Sequence, residues 1–124
     1  MPVDPTLADI RRFSREDDGG PVVMLNLLRY KDAAGGDSYR SYIEQMQQYL
    51  ARVGAELVYV GDCSTLIVGS EEEHRWDALM VARYPSRAAF LEMLRDPEYQ
   101  AITHLRTDGV EAAILEATTP WRFG

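Results

Sequence analysis

Val22-Val23-Met24-Leu25-Asn26-Leu27-Leu28-Arg29-Tyr30 and Trp76-Asp77-Ala78-Leu79-Met80-Val81-Ala82-Arg83-Tyr84 decide the fold. Each is a short run rich in aliphatic residues and bounded by turn formers: Pro21 and Lys31-Asp32 flank the first, and Pro85-Ser86 follows the second. Successive side chains of a strand point to opposite faces. In the first run Val22, Met24 and Leu28 share one parity, and Val23, Leu25 and Leu27 share the other. In the second, Ala78, Met80 and Ala82 oppose Leu79 and Val81. Both strands are apolar above and below, and each face needs a cover.

Between these strands, Tyr39, Tyr42, Ile43, Met46, Tyr49, Leu50 and Val53 recur at spacings of three and four, which predicts a long helix. Ala33-Ala34-Gly35-Gly36 reads as a flexible loop before it, Asp37 or Ser38 as its N-cap, and Gly54 as its left-handed C-terminal stop. Glu56 to Val60 and Ser64 to Val68 are two β runs around Gly61-Asp62-Cys63. They form either a hairpin or, the preferred reading, one bent strand with a bulge. After Tyr84, Ser86 caps a helix burying Phe90, Met93 and Leu94. Asp96-Pro97 restarts the helix as far as Thr107, with a stop at Gly109. Val110 to Ala117 is the last strand. At the front, Thr6-Leu7-Ala8-Asp9 has capping-box spacing for a short helix that places Leu7, Ile10 and Phe13 on one face.

The order is a helix followed by β-α-β-β-α-β. Right-handed crossovers place both long helices on one side of the sheet, which is the ferredoxin-like α+β arrangement with an antiparallel sheet. Residues 1–20 read as an N-terminal helical extension, 21–119 as the domain and 120–124 as a tail. One helical layer covers one face. The other is expected to pack on a second copy through two-fold symmetry, giving a homodimer. The alternative is that residues 1–20 and the Trp121 to Phe123 tail fold over it.

Composition narrows the function. Across 124 residues, 20 acidic against 13 basic side chains give a net charge of −7, which argues against nucleic acid or anionic membrane as a partner. Cys63 is the single cysteine, so no disulfide can form within the chain. No apolar run approaches a membrane span and Met1 to Pro5 has no signal-peptide character, so a soluble cytoplasmic protein is expected. Glycine-patterned phosphate loops and a nucleophile elbow are both absent.

The block Tyr84-Pro85-Ser86-Arg87-Ala88-Ala89-Phe90, followed by Asp96-Pro97-Glu98-Tyr99-Gln100-Ala101-Ile102, resembles the signature of the uncharacterised family known as domain of unknown function 1330. Met24-Leu25-Asn26-Leu27-Leu28 fits its longer members, and the resemblance spans about Val22 to Thr119. It implies membership of the dimeric α+β barrel superfamily, whose sheets pack face to face. That superfamily includes cofactor-independent monooxygenases, small-ring isomerases and haem-handling proteins.

Among candidate site residues, Asn26 is a lone amide in an apolar strand. Its donors and acceptor need partners, either a ligand in the cleft between sheet and helices or a loop or water. His104, on the last helical stretch, has the titration range for general acid–base work but reads more readily as a surface or helix-end residue. Together they would suit a cofactor-independent oxygenase or isomerase, with Asn26 steadying an oxyanion and His104 moving a proton. The alternative is a non-catalytic ligand-binding or interaction module. Tyr39, Tyr42, Trp76, Arg83 and Arg106 are candidate ligand contacts; Arg83 could clamp a carboxylate or equally pair with Glu111 or Asp77 across the sheet. Haem-degrading relatives in the superfamily use an Asn, a Trp and a His, residue types matched by Asn26, Trp76 and His104, although the interval from Trp76 to His104 is too long for the usual arrangement. No cofactor is expected. The Glu71-Glu72-Glu73-His74 stretch with Asp77 matches no metal-ligand spacing.

Overall fold

The computed structural model describes residues 3–123. Its elements are α1 (Leu7–Arg15), β1 (Val22–Tyr30), α2 (Ala33–Arg52), β2 (Glu56–Asp62), α3 (Glu71–His74), β3 (Ala78–Tyr84), α4 (Arg87–Arg95), α5 (Pro97–Gln100), α6 (His104–Thr107) and β4 (Val110–Thr118). The strands form one antiparallel sheet in the order β2-β3-β1-β4, the ferredoxin-like arrangement.

Strand parity sets the layers. Val22, Met24, Asn26 and Leu28 of β1 and Ala78, Met80, Ala82 and Tyr84 of β3 are buried, facing the helices. Against them pack Tyr39, Tyr42, Ile43, Met46, Tyr49 and Leu50 of α2 and Phe90 and Met93 of α4. Val23, Leu25 and Leu27 face the other way, in register with Arg83, Val81 and Leu79 on one side and Thr118, Glu116 and Ile114 on the other. Among the described residues, neither terminal segment covers this outer face. Helix α1 packs on α4, where Phe13 meets Phe90 at 5.2 Å and the Phe13 carbonyl accepts from Arg87 at 2.8 Å. Trp121 and Phe123 stand 83% and 85% exposed.

Several caps follow the sequence. Thr6 and Asp9 close a capping box on α1, Ser86 caps α4, Asp96 caps α5, and Gly54 takes φ +73° behind α2. Other boundaries differ. The expected loop Ala33–Gly36 is the first turn of α2, capped by Asp32, whose carboxylate accepts from the Gly35 amide at 2.8 Å. The reason is tertiary: a Cβ on Gly35 would strike the Gly109 carbonyl oxygen, and one on Gly36 would press on the Tyr30 ring. Ser38, inside the helix, donates instead to the Leu105 carbonyl at 2.6 Å. Residues 64–68 pair with no strand, so neither the hairpin nor the bent strand forms there. The bulge lies earlier, at Val58, between the Leu57 and Tyr59 pairings. The stretch from Pro97 to Thr107 is two single-turn helices joined by a turn rather than one helix.

Candidate functional site

Three strands and helices converge on Asn26. It sits mid-strand on β1, opposite Met80 of β3 and Leu115 of β4, with its side chain on the helical face and 5% exposed. Its Nδ2 donates to the Met80 carbonyl at 3.5 Å and to Met80 Sδ at 3.7 Å, both at the limit of hydrogen-bonding reach. No donor among the described residues reaches its Oδ1. Beside it opens a cavity of about 130 Å³, bounded by Tyr42, Phe90, Leu94, Tyr99, Arg106 and Leu115. Asp4 and Pro5, in the segment before α1, form a further wall and also border an adjoining cleft of about 600 Å³ under α1.

The polar groups of this cavity are few and strongly held. The Tyr42 and Tyr99 hydroxyls share a hydrogen bond of 2.6 Å. Burial pushes the Tyr42 phenol well above its ordinary value, with Tyr99 adding to the effect. Burial also raises Tyr99, while its bond to Tyr42 and the Arg106 charge partly offset the rise. Both phenols are therefore neutral at physiological pH. Arg106 is 8% exposed; its Nη1 donates to the Val3 carbonyl and, at 3.1 Å, to the Asp4 carboxylate. Its Nη2 is buried without a hydrogen-bond partner among the described residues, and so is the Tyr39 hydroxyl.

The structure thus brings together Asn26, Tyr42 and Arg106 of the residues expected at the site. It separates the others. Tyr39 is 1% exposed in the core behind Tyr42 and does not reach the cavity wall. His104 lies exposed on α6, its Nδ1 3.0 Å from the Ala101 carbonyl oxygen, outside the lining residues. Arg83 shares the parity of Leu79 and Val81, so it is exposed on the outer face opposite Glu56. Trp76 lies beneath the Arg29 guanidinium, 5.3 Å from ring centroid to carbon, before β3 begins. The Asn26, Trp76 and His104 set is consequently dispersed. Among the described residues no three metal-ligating side chains cluster. Partial burial, then the Asp77 and Asp62 carboxylates, push the Cys63 thiol up, away from the thiolate.

Contacts made by Tyr99 and Asp4 in the wall were not expected. Tyr99 pairs with Tyr42 across a sequence separation of 57, and Asp4 reaches Arg106 across 102. Helical spacing alone carries a signal for neither.

A family model, the domain of unknown function DUF1330, matches residues 27–117. The chain belongs to this family. The crystal structure of RPA0582, a protein of unknown function from Rhodopseudomonas palustris, is 34% identical over 97% of each chain, with a TM-score of 0.88. At lower identity the likeness is one of fold. A dimeric ferredoxin-like protein of unknown function from Thermobifida fusca is 16% identical, covering 83% of this chain and 93% of its own, with a TM-score of 0.57. SnoaB, a cofactor-independent oxygenase from Streptomyces nogalater, is 12% identical over 84% of this chain and 96% of its own, with a TM-score of 0.60. No curated protein matches the sequence. No helix of this DUF1330 protein, among the described residues, is long and apolar enough to cross a membrane.

Proposed function

We propose that this DUF1330 protein is a homodimer that binds a small, partly aromatic organic molecule in the cavity beside Asn26. The observation that carries the reading is Asn26 itself: a buried amide in an apolar strand, bonded only at 3.5 Å and 3.7 Å to Met80, at the wall of a cavity. A structural amide would be firmly paired, because leaving it underpaired costs roughly 1–3 kcal/mol. An occupant taking its donor and acceptor removes that cost.

The cavity has the makeup such ligands favour: apolar walls from Phe90, Leu94 and Leu115, with phenol and guanidinium tips. The proton-transfer role expected of His104 has no counterpart in this wall. The acid–base groups there are two phenols held neutral by burial and an Asp4 carboxylate already paired with Arg106. Ligand binding, rather than oxygenase or isomerase chemistry, is the reading this favours. The dimer rests on the apolar outer face of Val23, Leu25, Leu27, Leu79, Val81 and Ile114, and the Thermobifida fusca neighbour of the same fold is dimeric.

The test is a fragment screen by ligand-observed NMR on the full chain, repeated on Leu115→Trp, which fills the cavity from β4. Small aromatic compounds should bind the native protein and be lost from the variant. Binding that ignores Leu115→Trp would place the site elsewhere.

A further inference from the structure

We infer that the ligand of this cavity is an organic carboxylate whose acid group replaces the Asp4 carboxylate on Arg106, so that the Asp4 side chain is a displaceable occupant of the protein's own binding site. The inference rests on the cavity being a binding site. A guanidinium presents a planar fork of donors that matches both oxygens of a carboxylate. Asp4 engages only one prong: Nη1 contacts it at 3.1 Å, and Nη2, buried, has no hydrogen-bond partner among the described residues. The anchoring cation is thus built into the protein, with its side chain 10% exposed, while the anion facing it reaches in from the surface, with its side chain 56% exposed. An incoming carboxylate that satisfies both prongs recovers the donor that Asp4 leaves idle.

The Asp4 carboxylate is held lightly. It lies in a stretch with no helix or strand of its own, between Val3, whose carbonyl accepts from Arg106, and Thr6, which caps α1; among the described residues it accepts, beyond Arg106, only from the Thr107 hydroxyl, at 3.2 Å and 3.3 Å. Asp4 and Pro5 wall both the 130 Å³ cavity and the 600 Å³ cleft, so withdrawing them opens the small space toward the large one. A bound acid would set its carboxylate on Arg106 and its apolar body against Phe90 and Leu115. Asn26 Nδ2, held only at the margin by Met80, remains free to donate to it.

Titration calorimetry of the full chain with benzoate, benzamide and benzyl alcohol tests this. Benzoate should bind more tightly than either neutral analogue. Asp4→Asn, a change at an exposed side chain, should tighten benzoate roughly tenfold while leaving the neutral compounds within about twofold. Arg106→Lys keeps the charge but loses the fork, and should weaken benzoate by roughly tenfold or more. Hydrogen exchange across residues 3–9 should rise on saturation with benzoate, a readout that does not depend on any variant folding. Neutral analogues binding as well as benzoate, with no response to Asp4→Asn, would overturn the exchange while leaving the cavity reading intact. Absence of benzoate binding, even to Asp4→Asn, overturns it too. Failure of the cavity reading is separate: compounds would bind and ignore Leu115→Trp.

Discussion

Asn26→Leu separates a structural amide from a functional one by the sign of its effect. In the folded protein the amide is 5% exposed and retains a 3.5 Å contact to a carbonyl and a 3.7 Å contact to sulfur, so little hydrogen-bond energy is lost on removing it. Burying an underpaired amide costs roughly 1–3 kcal/mol, which the substitution relieves. Leucine has the same branched shape as asparagine but bulkier methyl ends, and the adjoining 130 Å³ cavity gives them room. The net expectation is a gain of about 1–2 kcal/mol, after allowing for imperfect packing. At about 2.1 cal/mol/K of unfolding entropy per residue, a chain of 124 residues shifts its Tm by about 4 °C per kcal/mol. Calorimetric melts should therefore place Asn26→Leu about 4–8 °C above the native protein, with ligand binding lost. A fall in Tm of similar size would mean that Asn26 is there for stability, and the reasoning that makes it a ligand contact would be wrong.

Leu27 lies at the centre of the outer face, between Leu79 and Ile114. Placing a charge there with Leu27→Glu should convert the proposed dimer to a folded monomer in sedimentation equilibrium, because an unpaired charge in an apolar interface costs several kcal/mol. Gly35→Ala should destabilise by about 1–3 kcal/mol in urea melts, since its methyl meets the Gly109 backbone. Where a helical glycine has room, the same change would stabilise by about 1 kcal/mol. Asp9 is held below the usual carboxylate range by the Thr6 amide and then the Thr6 hydroxyl, with Arg12 adding to both. A depressed carboxylate stabilises above its unfolded pKa and loses that contribution as pH falls through its folded one. Hydrogen exchange in α1 should accordingly separate Asp9→Asn from the native chain at neutral pH, and the difference should fade in acid.

The sheet and its two faces were legible because parity is a local property. The alternation in Val22 to Tyr30 and Ala78 to Tyr84 appears unchanged in their burial. The caps at Thr6, Ser86 and Asp96 were legible for the same reason, since each acts within one turn. Gly35 and Gly36 misled because paired glycines usually mark a loop, and only the approach of Gly109 and Tyr30 explains them inside a helix. Parity also held the answer for Arg83, which shares the outward set of Leu79 and Val81, although a carboxylate clamp was expected of it. Asn26, Tyr42 and Arg106 were readable as residue types on plausible elements. The parts played by Tyr99 and Asp4 depend on contacts over 57 and 102 residues that no local pattern encodes.

The most direct measurement is an NMR titration of the isotopically labelled 124-residue chain with a binding fragment, following the Asn26 side-chain amide and the Arg106 guanidinium resonances together. Both should move along one saturation curve shared with Tyr42 and Leu115. A fragment that saturates the protein while these two groups stay unmoved, with shifts gathered on another surface, would contradict the assignment of the cavity as the binding site.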